Sequence, residues 1–151
     1  QNNLGFMYEN GRGVPQSDAK AVELYTLAAE QGNSRAQCNL AFMYEHGRGA
    51  TQDNAKAVAL YEKASAQGNS RAQNNLGFMY ENGRGVPQSD AKAVELYTLA
   101  AEQGNSRAQC NLAFMYEHGR GATQDNAKAV ALYEKASAQG NSRAQNNLGF
   151  M

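Results

Sequence analysis

The sequence predicts an all-α fold, a right-handed superhelical solenoid of helix-turn-helix modules, from three observations. Residues 1–79 align with residues 73–151 without a mismatch, so the chain has a 72-residue period. Residues 1–36 set against 37–72 keep 24 of 36 positions, so each period holds two diverged 36-residue modules. Within a module, apolar residues recur twice at helical spacing, with a glycine-containing turn between. A period of this size marks stacked supersecondary units, each too small to bury its own apolar face alone.

The module from Asn33 to Gly68 shows the elements in order. Asn33 follows Gly32 and suits an N-cap, because its side-chain oxygen can accept from the free amides of a first turn. Ala36, Leu40, Met43 and Tyr44 then fall at i, i+4, i+7 and i+8, the apolar stripe of an amphipathic helix, helix A. It should stop at Gly47, where a left-handed residue without a Cβ costs little, and Gly47-Arg48-Gly49 forms the turn.

Helix B should start at Asp53, a good N-cap matched by Ser17, Ser89 and Asp125 in the other modules. Its stripe is Ala57, Leu60, Tyr61 and Ala64, and it should end at Gly68. Pro15 and Pro87 lie in the inter-helix loop, where proline stiffens a turn without interrupting a helix. Small residues such as Ala28, Ala29, Ala36, Ala57 and Ala64 should let helices approach closely, with Leu, Met and Tyr filling the space between.

On these boundaries residues 1–151 form one array. It comprises a partial first repeat (1–32), three whole repeats (33–68, 69–104 and 105–140) and a partial fifth repeat (141–151). The string QNNLGFM opens the chain, recurs at Gln73 to Met79 and closes it. The first copy lacks the Asn-Ser-Arg-Ala that leads the others, and the last stops before the next Tyr. The expectation is a window cut from a longer array.

Composition narrows the function classes. The chain is 42% hydrophobic and 19% charged, inside the folded range. Fourteen basic residues balance fourteen acidic ones, which leaves no electrostatic footprint for a phosphate backbone, so nucleic acid is not an expected partner. No apolar run approaches the ~18 residues that would suggest a membrane span, so no membrane insertion is expected. Cys38 and Cys110 are one position seen twice, which is not a disulfide framework.

The pattern resembles the Sel1-like repeats, relatives of the tetratricopeptide repeats, over the whole chain. The family's spacing is met by Leu4, Gly5, Tyr8, Gly11, Gly13, Val14, Lys20, Ala21, Tyr25, Ala28, Ala29 and Gly32. The departures are mild: Leu24 or Leu60 stands for the aromatic before the second Tyr, Ser17 alternates with Asp53, and Val14 becomes Ala50. The resemblance implies a superhelical adaptor that holds proteins in quality-control complexes, cell-wall and exopolysaccharide systems or bacteria–host contacts. Cysteine-rich relatives with a disulfide in each module are associated with beta-lactams. This chain lacks their paired cysteines, so beta-lactam binding or hydrolysis ranks last among its readings.

Candidate functional positions are those that differ between modules. On helix A these are Asn2 against Cys38, Gly5 against Ala41, and Asn10 against His46. Cys38, Phe42 and His46 at i, i+4 and i+8 line a stripe apart from the apolar face. The resemblance implies that helix A lines a concave surface, which makes this stripe the candidate contact surface. Its equivalents are Asn2, Phe6 and Asn10, then Asn74, Phe78 and Asn82, then Cys110, Phe114 and His118. A second candidate is a ladder of amides, Asn3, Asn39, Asn75 and Asn111, which could grip an extended ligand or satisfy loop carbonyls between modules.

No catalytic residue, metal site or cofactor is assigned. Two helical turns separate Cys38 from His46 by about 12 Å along the axis, at ~1.5 Å per residue, too far for a thiol–imidazole pair. One Cys and one His per period do not supply the convergent ligands of a metal site. Glu9, Glu45, Glu81 and Glu117 recur in every module and read as solvated helix residues, with Arg12 or Arg48 as partners. The Gly-Arg-Gly turn lacks the Gly-Lys-Ser/Thr of a phosphate cradle. The expected function is a non-catalytic scaffold for a protein or peptide partner. The alternative is a filament or surface fibre built of these repeats, with end-to-end self-association.

Overall fold

The computed structural model describes all 151 residues as nine helices. They are α1 (Asn2–Asn10), α2 (Asp18–Glu30), α3 (Ser34–His46), α4 (Asn54–Ala66), α5 (Ser70–Asn82), α6 (Asp90–Glu102), α7 (Ser106–His118), α8 (Asn126–Ala138) and α9 (Ser142–Gly149). Odd-numbered helices are helix A of a module and even-numbered ones helix B. The all-helical repeat architecture expected from the 36-residue modules is therefore observed. The chain divides into two compact units, residues 1–72 with 84–86, and residues 73–83 with 87–151.

Each helix begins where its cap places it. The Asn33 side chain accepts from the Ala36 amide at 2.9 Å, and Asn69, Asn105 and Asn141 cap α5, α7 and α9 in the same way. Asp53 accepts from the Lys56 amide at 3.0 Å to open α4, and Ser17 accepts from Lys20 at 3.3 Å to open α2. Each cap satisfies one of the amides that a first turn leaves without an intrahelical partner. Gly47 closes α3 in the left-handed conformation, φ 63°. Helix B stops two residues earlier than its glycine, at Ala66, because the Gly68 and Asn69 amides fold back onto the Ser65 and Ala64 carbonyls.

In the first unit the core joins helix B of one module to helix A of the next. Ala21, Tyr25, Ala28 and Ala29 of α2 pack on Ala36, Leu40 and Met43 of α3. Alanines at the contact bring the helix axes together, and the wholly buried Tyr25 and Met43 fill the volume between. The second unit repeats this between α6 and α7 with Ala93, Tyr97, Leu112 and Met115, and continues through Ala129, Tyr133, Ala136 and Ala144. Tyr44 and Leu60, read as part of the apolar stripes, are only half-buried at the margin of the core.

A polar clasp ties each module to the next. Tyr25 donates its hydroxyl to Glu9 at 2.5 Å, and Arg48, in the following module's turn, reaches the other oxygen of the same carboxylate at 3.1 Å. Arg48 also bonds both oxygens of Asp18, at 3.0 and 3.4 Å. Tyr61, Glu45 and Arg84 form the second clasp, with Asn54 in the place of Asp18. Tyr97, Glu81, Arg120 and Asp90 form the clasp of the other unit.

Glu9, Glu45 and Glu81 are thus not solvated helix residues. Glu45 is buried, and Glu9 pairs with Arg48 rather than Arg12. The reason is non-local: the next module's turn lies over the carboxylate, 39 positions further along the chain. Gly49 allows that approach. It sits at φ 69°, and a Cβ there would overlap the Asp18 carbonyl.

Candidate helix-A groove

Each unit carries a groove on its helix-A side. In the first it is a cavity of ≈ 420 Å³ lined by Asn2, Asn3 and Phe6 of α1, by Arg35, Cys38 and Asn39 of α3, and by Asn69, Ser70 and Arg71 where α5 begins. In the second it is ≈ 490 Å³. Asn74 and Phe78, then Ser106, Arg107, Cys110 and Asn111, then Ser142 and Arg143 occupy the corresponding places. Apart from Asn3 in the first and Ser106 in the second, the residues named have counterparts lining the other groove at the 72-residue period.

The grooves bring together residues of both sequence-derived sets. Asn2, Phe6 and Cys38 of the stripe meet Asn3 and Asn39 of the ladder in the first, and Asn74, Phe78 and Cys110 meet Asn111 in the second. The outer stripe residues lie beyond the lining. Asn10 and Asn82 are exposed and donate to the Phe6 and Phe78 carbonyls at 2.9 Å. Exposed His46 stacks obliquely on Phe42 with ring centroids 4.2 Å apart, and His118 does the same on Phe114.

Two readings of these positions need correction. Cys38 and Cys110 do not offer a contact surface: each is 1% exposed, packed at the floor of its groove. Burial pushes the Cys38 thiol up to about 11, against the smaller opposing effect of Arg71, and Cys110 moves in the same direction. Asn74 is also buried, at 7% exposure. Asn39 and Asn111 of the ladder bond side chains of neighbouring A helices rather than loop carbonyls. Asn39 donates to the Asn2 side chain at 3.1 Å and accepts from Arg71 at 2.7 Å. Asn111 repeats this with Asn74 at 3.0 Å and Arg143 at 2.8 Å. Asn3 is exposed at the groove of the first unit, and Asn75 is half-buried in α5.

The arginines are the groove residues that module differences could not reveal, because they are the same in every module. Arg71 lies over the Phe42 ring at 5.7 Å and Arg143 over Phe114 at 5.8 Å. A polar chain therefore runs Asn2, Asn39, Arg71 across three successive A helices, and Asn74, Asn111, Arg143 in the second unit. The signal available in the sequence was the Asn-Ser-Arg-Ala tetrapeptide, which puts a cation in a helix's first turn with no acid nearby.

The thiols are buried, which raises the pKa of both, and Glu9, Glu45 and Glu81 are committed to Tyr and Arg partners. No group of three or more His, Cys, Asp or Glu converges as a metal site would require. No helix is long and apolar enough to cross a membrane. Amide donors and acceptors, two guanidinium groups and an exposed phenyl ring are what each groove presents.

The model of the Sel1 repeat family matches residues 1–33, 34–69, 70–105 and 106–141. Among solved structures, the chain is similar to c5321, a protective antigen of uropathogenic Escherichia coli displaying an SLR fold. The identity is 41% over 99% of this chain and 32% of that one, with a TM-score of 0.90. It is similar to a Sel1 repeat protein from Oxalobacter formigenes at 34% identity over 97% of this chain and 59% of the other, TM-score 0.90. Helicobacter pylori cysteine rich protein B matches at 25% identity over 85% of this chain and 92% of that protein, TM-score 0.67. The chain spans about a third of the E. coli antigen and 59% of the Oxalobacter protein. No curated protein matches it.

Proposed function

The chain belongs to the Sel1 repeat family, and from that premise we propose that it is a non-catalytic scaffold that binds protein or peptide segments in its helix-A grooves. The observation that carries this reading is the twofold occurrence of one groove in which Asn39 or Asn111 is fixed between two neighbouring helices. Such amides suit the backbone of an extended peptide, and the exposed Phe6 and Phe78 suit its apolar side chains. The commitment of the thiols and carboxylates to packing and clasps supports a binding role over a catalytic one.

The test is selection from a random peptide display library on the immobilised chain, with the recovered peptides measured by calorimetry. Peptides that bind the parent but lose affinity to Phe6→Ala with Phe78→Ala, and not to a helix-B surface change such as Glu62→Ala, are the expected result. Recovery of no groove-dependent peptide sinks the scaffold reading. Repetition without mismatch over 72 residues also suits a fibre of many such modules. Sedimentation velocity showing reversible polymers would favour that second reading, and a single species at every concentration would remove it.

A further inference from the structure

We propose that each helix-A groove takes an extended acidic peptide of a partner protein. Its carboxylates would be bound by Arg35 and Arg71 in the first unit and by Arg107 and Arg143 in the second. The inference rests on the scaffold reading and adds the chemistry of the ligand.

Seven of the eight arginines fall into two groups with different fates, the eighth being Arg12 in the first Gly-Arg-Gly turn. Arg48, Arg84 and Arg120 of the turns are consumed by the clasps, each on a carboxylate of the preceding module. Arg35, Arg71, Arg107 and Arg143 form no ion pair, although they recur just as regularly. No Asp or Glu lines either groove. In a chain whose formal charge is zero, each groove is thus a local concentration of uncompensated positive charge.

These arginines also stand where a cation is electrostatically disfavoured. Each occupies the first turn of its helix, at the positive end of the helix dipole, and α3, α5, α7 and α9 have no acidic residue in that turn. A carboxylate arriving from outside would meet the guanidinium and the helix end together, and would relieve the repulsion between them. Arg71 and Arg143 are oriented in advance. One nitrogen of each is bonded to Asn39 or Asn111, and the guanidinium lies over a phenyl ring, so ordering it on binding costs little further freedom. Phe6 and Phe78, more than two-fifths exposed, offer apolar contact to the residues between the ligand's acidic ones. A nucleic-acid strand would need a longer basic track than two arginines per groove in a neutral chain.

The experiment is fluorescence anisotropy on the whole chain with three labelled probes. The first is an extended peptide of about a dozen residues with Glu alternating with apolar and small residues, the second its Gln-for-Glu counterpart, and the third an oligothymidine of similar length. The Glu peptide is expected to bind roughly tenfold or more tightly than either other probe, with affinity falling as salt is added. Arg71→Gln with Arg143→Gln should abolish that preference. Lys63→Gln with Lys135→Gln, the same charge change on exposed helix-B sites, should preserve it, with circular dichroism verifying the fold of every variant. Equal groove-dependent binding of the Glu and Gln peptides overturns the acidic preference and leaves the scaffold reading standing. Tighter binding of oligothymidine, or a Glu-peptide affinity indifferent to the arginine changes, also overturns it. Failure of the scaffold reading is a different result, the absence of any groove-dependent peptide from the display selection.

Discussion

Tyr25 donates its hydroxyl to Glu9 at 2.5 Å, joining helix B to helix A within one module, and Glu9 passes the connection to Arg48 of the next. Tyr25 is wholly buried and the Glu9 side chain is 16% exposed, so the carboxylate is the hinge point of the clasp. Glu9→Ala deprives a buried hydroxyl and a guanidinium of the same acceptor and should destabilise the chain by about 2 kcal/mol. Tyr25→Phe, which removes the donor and leaves Glu9 bonded to Arg48, should cost about 1 kcal/mol. Urea denaturation measures both. A Glu9→Ala effect no larger than that of Lys20→Ala, at an exposed ion pair, would contradict the clasp.

Asn54 occupies the position where Asp18 supplies a second carboxylate to Arg48. Asn54→Asp should therefore let Arg84 bridge two acids and should stabilise by several tenths of a kcal/mol, roughly the range of partly exposed ion pairs. Part of any gain comes from an acid in the first turn of α4. A double-mutant cycle with Arg84→Gln separates the two, and a coupling near zero at low salt would show that no bridge forms.

Gly47 and Gly49 both hold left-handed backbone, but their surroundings differ. A Cβ on Gly47 meets the Gln52 Cβ at 3.1 Å, a tight contact, whereas one on Gly49 overlaps the Asp18 carbonyl outright. Gly47→Ala should cost about 1 kcal/mol, in line with the strain of a left-handed L-residue. Gly49→Ala should cost more than about 2 kcal/mol, because it also forces successive modules apart. Thermal unfolding of the two variants gives the order, and the reverse order would refute the close approach at Gly49 as the source of its cost.

The buried Cys38 thiol has its pKa raised from the ordinary 9.0 to about 11 by burial, and Tyr25 and Tyr97 are raised beyond the ordinary 10.0 by burial and then by their glutamate partners. In each case the folded value lies above the unfolded one. The stabilisation is therefore complete below about pH 9 for the thiol and about pH 10 for the phenols, and is lost as pH rises through the folded values. Thermal midpoints should hold up to about pH 9 and fall progressively above it. In native protein the thiols should react with a disulfide reagent only slowly, on the timescale of unfolding. Rapid reaction of Cys38 at neutral pH would place it outside the core.

The features legible in the residue order are local ones. Asn33, Ser17 and Asp53 cap helices through contacts three residues away, and Ala36, Leu40 and Met43 face one side because a helix turns every ~3.6 residues. The candidate stripe is legible as a direction on helix A but not in depth. Cys38 and Phe42 share a face, yet the thiol is at the floor of the groove and the ring is beneath Arg71. Differences between modules point to positions that vary, and so pass over Arg71 and Arg143, whose identity never changes.

The amino-acid order by itself determined the repeat, the two helices of each module, the turn between them and the apolar stripes that must be covered. All of these follow from interactions within a few residues or from periodicity along one helix. Tertiary structure alone decided that Glu9 belongs to Arg48, that Asn39 bridges Asn2 and Arg71, and that Cys38 is hidden while Arg35 and Arg71 are left without carboxylates. Those partners are 32 to 39 positions apart. Which side chains meet at that separation depends on how far one module is rotated and shifted against the next, and that register is set by packing of Tyr25, Met43 and the small alanines between helices rather than by any local rule.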